Sequence, residues 1–236
     1  MPHAAVLSGR EINVNSDTYI PPKGKNLPSP ITSPNDFLHV QWNKVYYKVR
    51  DAFSLWVLKW SGPGATKGSF KRLIKLQRST IAPTAVALHR QMYTAFSEGD
   101  VPSLKRMCAD GMFHSFSTRI GNRPRGETMK WELIKYNGSA KLVSNRAARL
   151  PIDGMAVQQS IVRISSTQRL TRWSREKQGL VQIEGTGQER DVVEYVVVQR
   201  MYKEWKGGDW IVWGTTKETL LDDVDDWKVQ QKAELQ

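Results

Sequence analysis

The sequence predicts an α+β fold in which helices from the first half of the chain pack on a curved, mostly antiparallel sheet supplied by the second half. Two periodicities and one doubly apolar hairpin predict it. Apolar residues recur at spacings of three and four between Phe37 and Phe96, which is the helical period. From Trp131 onward the period shortens to two, β-branched residues dominate, and Gly138, Pro151, Gly154, Gly179, Gly185 and Gly187 punctuate the runs. In residues 192–216, Val193, Tyr195, Val197 and Met201 oppose Val192, Val196, Val198 and Tyr202, so both faces of this stretch are apolar. Both must then be covered, and the upstream helices are the available cover.

Residues 1–34 carry Pro2, Pro21, Pro22, Pro28, Pro30 and Pro34 without a sustained apolar period, and read as an extended arm that faces solvent or orders on a partner. Residues 35–80 read as an amphipathic and basic helical extension. Ser33 or Asn35 beside Pro34 can open a helix, and Phe37, Leu38, Trp42, Val45, Tyr46, Val49, Phe53, Trp56, Val57 and Trp60 form one apolar stripe along it. Such a stripe either faces the core or lies on a membrane or in a partner's groove, where Trp42, Tyr46, Phe53, Trp56 and Trp60 are the candidate contacts. Ser61-Gly62-Pro63-Gly64 breaks the helix before the basic segment Phe70 to Arg78.

Residues 81–217 read as the α+β domain. Pro83 suits the first turn of a helix that Gly99 ends in the left-handed conformation, and Asp100 or Ser103 can cap the next one. Runs starting at Trp131, Lys141 and Ala156 read as strands, Leu180 to Ile183 as the start of another, and the terminal hairpin is expected to turn on Lys206-Gly207-Gly208-Asp209, where glycine supplies positive φ. Residues 218–236 are an acidic tail with Trp227 as its large anchor.

The formal charge of +12 favours a polyanionic partner, nucleic acid or an anionic membrane surface. It is unevenly placed: residues 35–90 hold ten Lys or Arg against Asp36 and Asp51, a surplus of eight, and residues 101–150 hold ten against three acids, a surplus of seven. Residues 217–236 invert the balance, with three Lys against six acids. A single cysteine, Cys108, rules out an intramolecular disulfide and a cysteine zinc site. The phosphate-binding, dinucleotide-binding and HExxH motifs are absent, and His89 and His114 lack a neighbouring ligand at metal spacing, so no cofactor is expected. No apolar run is long enough to span a bilayer, and the N-terminal residues resemble neither a secretory signal nor an Arg-rich presequence.

Two stretches carry a family resemblance. The helix junction Phe96-x-x-Gly99-Asp100-x-x-x-Leu104 and the terminal Trp210-x-Val212-Trp213-Gly214 resemble the C-terminal domain of the mitochondrial import-motor tether, and within it the branch of a mitochondrial large-ribosomal-subunit protein and the fungal inner-membrane ribosome receptor. The resemblance implies a cone like that of nuclear transport factor two. It implies a non-enzymatic protein of the mitochondrial matrix, peripheral to the inner membrane, that binds rRNA and proteins of the large subunit near the polypeptide exit and serves membrane-protein insertion. No small-molecule substrate is expected. Alternatives are a scaffold of the import-motor type, or a small-ligand binder or enzyme using the cone's hollow. The latter needs an acid, base or Tyr converging there, and filling by Met201, Trp205, Trp210 and Trp213 would oppose it. The candidate phosphate contacts, to rRNA or lipid, are Lys67, Lys71, Arg72, Lys75 and Arg78, then Arg119, Arg123 and Arg125 in the Gly/Pro loop, then Arg169, Arg172 and Arg175.

Overall fold

The structure, a computed structural model, describes residues 18–64, 72–176 and 179–220. Four α-helices precede six strands among these residues: α1 (Pro34–Ser61), α2 (Arg78–Glu98), α3 (Val101–Met107), α4 (Asp110–Gly121), β1 (Glu127–Tyr136), β2 (Lys141–Arg149), β3 (Ala156–Glu176), β4 (Gly179–Gln182), β5 (Glu189–Lys203) and β6 (Lys206–Thr216). The result is the expected α+β architecture with a curled antiparallel sheet.

The axis of the sheet is β3, not the terminal hairpin. Its 21 residues pair with β2 through Ala156–Arg163 and with β1 through Ser166–Ser174 along one edge, and with β5 and β4 along the other. Register shifts at Leu133/Lys135, Leu142/Ser144, Val197/Val198 and Arg200/Tyr202 mark bulges, which add local twist and curl the sheet.

Both faces are covered, as the doubly apolar strands require. Val162, Ile164, Val196, Val198 and Val212 meet Ile81, Ala85, Met92, Phe96, Leu104 and Phe116 from α2, α3 and α4 in the main core. Farther along that face Leu58 of α1 packs with Ile74, Ala147, Ala156 and Tyr202, while on the opposite face Ile20 packs with Ile161, Tyr195 and Val197. One part of the arm does not face solvent: Thr18, Tyr19 and Ile20 are buried, the Thr219 N–H donates to Ile20 O, and the Ile20 N–H donates to the Thr219 hydroxyl.

Local signals were redirected in two places. Pro83 sits inside α2, which begins five residues earlier at Arg78, and Gly111 sits inside the first turn of α4. Gly99 does end α2 at φ 75°, and the Asp100 carboxylate accepts the Ser103 N–H to cap α3. The β5–β6 hairpin turns on Glu204-Trp205, with φ of 50° and 61°, and Gly207 and Gly208 lie within β6. Packing decides this turn. Trp205 is held against the Leu58 and Tyr202 cluster and its N–H donates to Gly154 O at 2.9 Å.

Gly154 is needed at that contact. It has φ 74°, and an added Cβ would lie 3.1 Å from the Glu204 Cα. Gly154→Ala is expected to destabilise the fold by about 1–3 kcal/mol through strain and backbone crowding together, read as a lower urea midpoint with unchanged m-value.

Candidate membrane and partner interface

The long helix α1 is amphipathic in an inverted sense. At 100° per residue, Leu38, Trp42, Val45, Tyr46, Val49, Phe53, Trp56 and Trp60 fall within about 100° of arc, a ridge running roughly 33 Å along the axis. All eight are exposed, Trp42 at 69 %, Phe53 at 62 % and Trp60 at 43 %. The core-facing reading of this stripe is overturned: it faces outward.

Polar side chains hold the inner face. Ser144 donates to the Asp51 carboxylate at 2.6 Å, Arg146 pairs with the same group at 3.3 Å, and the Ser54 hydroxyl accepts the Ala147 N–H at 3.2 Å. Burial pushes Asp51 upward in pKa, opposed by the Ser144 hydrogen bond and by Arg146. Only Val40, Asn43 and Leu58 of α1 are fully buried. The small and polar residues of β2 thus supply a seat for the polar face of α1, which fixes the aromatic face toward solvent.

Cations border the ridge. Lys48 and Lys59 are exposed on one flank, and the Arg72 guanidinium stacks 4.3 Å over the Trp60 ring while donating to Gly62 O. The ridge is itself ordered by ring contacts, Phe53 with Trp56 at 5.9 Å and Trp56 with Trp60 at 6.0 Å. A contiguous apolar surface with a basic margin suits a low-dielectric partner with anionic edges.

The remaining sequence candidates separate into three groups. Lys67 and Lys71 lie outside the described residues, as does the acidic tail from residue 221. Lys75, Arg78, Arg125 and Arg175 are exposed on the surface. Arg123, Arg169 and Arg172 each have partners within the chain. Arg123 donates to Phe96 O and Ser97 O at the end of α2, Arg169 meets Glu189 at 2.5 Å, and Arg172 meets Glu127 at 2.5 Å. Arg119 stacks over Phe96 at 4.9 Å.

The hollow between α2 and the sheet holds a constellation that local spacing did not reveal. Glu194 of β5 accepts from Tyr93 OH at 2.5 Å, from His89 Nε2 at 2.8 Å and from Gln168 Nε2 at 2.8 Å, and Trp131 Nε1 donates to Gln168 at 2.9 Å. Burial pushes the Glu194 carboxyl upward, but the three donors outweigh it and hold its pKa below the ordinary value. Tyr93 is driven upward by burial and by Glu194. Beside this network lies a cavity of about 400 Å³ lined by Tyr93, Phe96, Trp131, Leu170, Arg119 and Arg172. Of the tryptophans whose inward filling would oppose a ligand, Trp210 packs on the main core, Trp205 joins the Leu58 and Tyr202 cluster, and Trp213 packs on the opposite face of the sheet. The one sequence signal for the network was a single acid, Glu194, inside an otherwise apolar run.

Cys108 is buried, which lifts its thiol to about 12 and leaves it unreactive. Among the described residues no group of three His, Cys, Asp or Glu is placed to hold a metal, and no helix is long and apolar enough to cross a membrane.

Comparison with known proteins adds the family. The MBA1-like protein family matches residues 3–234. The chain belongs to the MBA1-like family. It is 22% identical over 189 residues to the Saccharomyces cerevisiae protein named inner membrane mitoribosome receptor MBA1, mitochondrial. That alignment covers 79% of this chain and 62% of the relative, so the chain spans about three fifths of that protein's length. Among solved structures, the intermembrane space region of the chloroplast protein ARC6 is similar at a TM-score of 0.33 and 11% identity, covering 57% of this chain and 94% of that one. A likeness that slight has no bearing on the fold.

Proposed function

We propose that this MBA1-like chain is a receptor that holds the mitochondrial ribosome against the inner membrane from the matrix side, as a peripheral protein. The observation that carries the reading is the α1 ridge, an aromatic face turned outward because the sheet seats its polar face. A folded protein that exposes so long an apolar strip requires a partner for it, and an anionic bilayer accommodates both the rings and the flanking cations. The name of the yeast relative supports the ribosomal side, as does the surplus of eight and of seven positive charges in residues 35–90 and 101–150. In the finer form of this reading, the α+β domain is a cone of the nuclear transport factor two type. It contacts rRNA and proteins of the large subunit near the polypeptide exit and positions nascent membrane proteins for insertion.

The protein is read as a scaffold and not as an enzyme. Its buried carboxylate, Glu194, already accepts from His89, Tyr93 and Gln168, which suits a structural tie between α2 and the sheet. That acid and Tyr93 nonetheless converge beside a cavity, which is what a small-ligand reading needs. Turnover of a ketosteroid-like probe, abolished by Tyr93→Phe, would favour that alternative. A tether of the import-motor type would capture a chaperone in place of a ribosome.

The test of the receptor reading is a sucrose-gradient fractionation of mitochondrial lysate at low and high salt, paired with vesicle flotation of the purified chain. Sedimentation with the large subunit at low salt, release at high salt and flotation with anionic vesicles are expected. Protein that stays in the light fractions at both salts and fails to float would overturn the reading.

A further inference from the structure

Lys141 and Arg163 stand directly opposite each other across the β2–β3 ladder. Like charges so opposed destabilise a sheet unless something neutralises them. Two more cations converge from other elements: Lys23 from the arm and Lys44 from α1. The Lys23 ammonium is pushed down in pKa by burial first, then by Arg163, Lys141 and Lys44.

Little among the described residues offsets this charge. Among the described residues the acid that reaches the group is Glu218, and its oxygens already accept from Tyr195 OH at 2.7 Å, Asn26 Nδ2 at 3.0 Å and the Lys23 N–H at 3.1 Å. Burial pushes Glu218 upward, and those bonds outweigh it and hold it ionised. Arg163 is in turn half-buried and faces Tyr195 across the β3–β5 ladder. Four cations from four separate elements thus gather at one place, with Lys141 and Arg163 cross-strand partners and Lys23 tied by its backbone to the occupied Glu218 carboxylate. None of the four was among the candidates read from the sequence, because only the fold brings residues 23, 44, 141 and 163 together.

We propose that Lys23, Lys44, Lys141 and Arg163 form a clamp for successive phosphates of an RNA backbone. Position on α1 separates this clamp from the membrane ridge. Lys44 follows Trp42 by two residues and so points about 160° away from it around the helix axis. A bilayer resting on the ridge leaves the clamp turned from the lipid, toward whatever lies on the other side. A polymer with one negative charge per unit matches cations fixed by separate elements, and releases counterions as it binds. The proposal rests on the receptor reading, in which the second partner is a ribonucleoprotein, and gives that partner's RNA a defined contact on this chain.

The test uses a Lys44→Gln/Lys141→Gln double variant of the full chain, a fluorescein-labelled RNA hairpin titrated at stepped potassium chloride, and phosphatidylcholine vesicles with a fifth phosphatidylglycerol. Loss of two phosphate contacts should lower the slope of log K against log salt by about 1.5 and weaken binding about thirtyfold at 0.1 M salt. Vesicle flotation should be unchanged, and the thermal midpoint equal or higher, since a repulsive pair is relieved. RNA affinity and slope equal to those of the wild type would overturn the clamp, as would loss of flotation with RNA binding intact. Wild-type protein that sediments with the large subunit yet binds the hairpin without salt dependence would sink the clamp and spare the receptor reading. Wild-type protein that does neither would sink both.

Discussion

A Trp42→Glu/Phe53→Glu/Trp56→Glu variant is expected to lose binding to anionic vesicles by a thousandfold or more while keeping its fold. Burying one aromatic side chain contributes about 1.5–3 kcal/mol, so three account for roughly 5–9 kcal/mol, and each 1.4 kcal/mol is about tenfold in affinity. The new carboxylates are also repelled by the anionic surface. Folding should be little affected, because all three rings are exposed and the seat of α1 is made by Asp51, Ser54, Ser144 and Arg146 on its other face. Surface changes of this kind shift the thermal midpoint by no more than about 5 °C. Flotation in density gradients checks the first effect and calorimetry the second. Retained flotation would mean that the ridge is not the lipid-facing surface; a collapsed midpoint would mean that the rings are covered within the molecule.

The same helix shows where sequence reasoning ends. Period alone placed Trp42, Tyr46, Phe53, Trp56 and Trp60 on one stripe, and the structure brings all five into one ridge. Period does not say what medium the stripe meets. That was decided by β2, whose Ser144 and Arg146 complement Asp51 and whose Ala147 admits Ser54. The strands were legible because alternation and β-branching are local properties, and Val196 and Val198 do face away from Tyr195 and Val197. The turn between β5 and β6 was not: Gly207-Gly208 has the stronger local propensity, yet docking of Trp205 against Leu58 and Gly154 moves the reversal upstream. The partners of Arg169 and Arg172 were not legible either, because Glu189 and Glu127 come from other strands. His89 and Glu194 are 105 residues apart, a distance over which no spacing motif could connect them.

That buried pair supports the second large effect. Glu194→Ala is expected to destabilise the protein by about 3–5 kcal/mol, because it strands His89, Tyr93 and Gln168 donors within the core. For a chain of this size the thermal midpoint should fall by about 10 °C or more. His89 is fully buried, so its Nε2–H has no water to turn to once Glu194 is gone. Glu194→Gln keeps the shape and one acceptor oxygen and should cost about 2 kcal/mol. The two variants also differ from the wild type in acid. Since the folded-state pKa of Glu194 is depressed, its contribution is present above the ordinary value of 4.5 and is lost as pH falls through the lower folded value. The wild type should therefore lose stability between pH 5 and pH 3 (about two units of titration) more steeply than Glu194→Gln, which has no proton to take up there. Urea midpoints measured across that range check it. Parallel pH profiles for the two proteins would show that the carboxylate is not the group that ties α2 to β3 and β5, whereas convergence of the curves at low pH would show that its ionised form is what holds them.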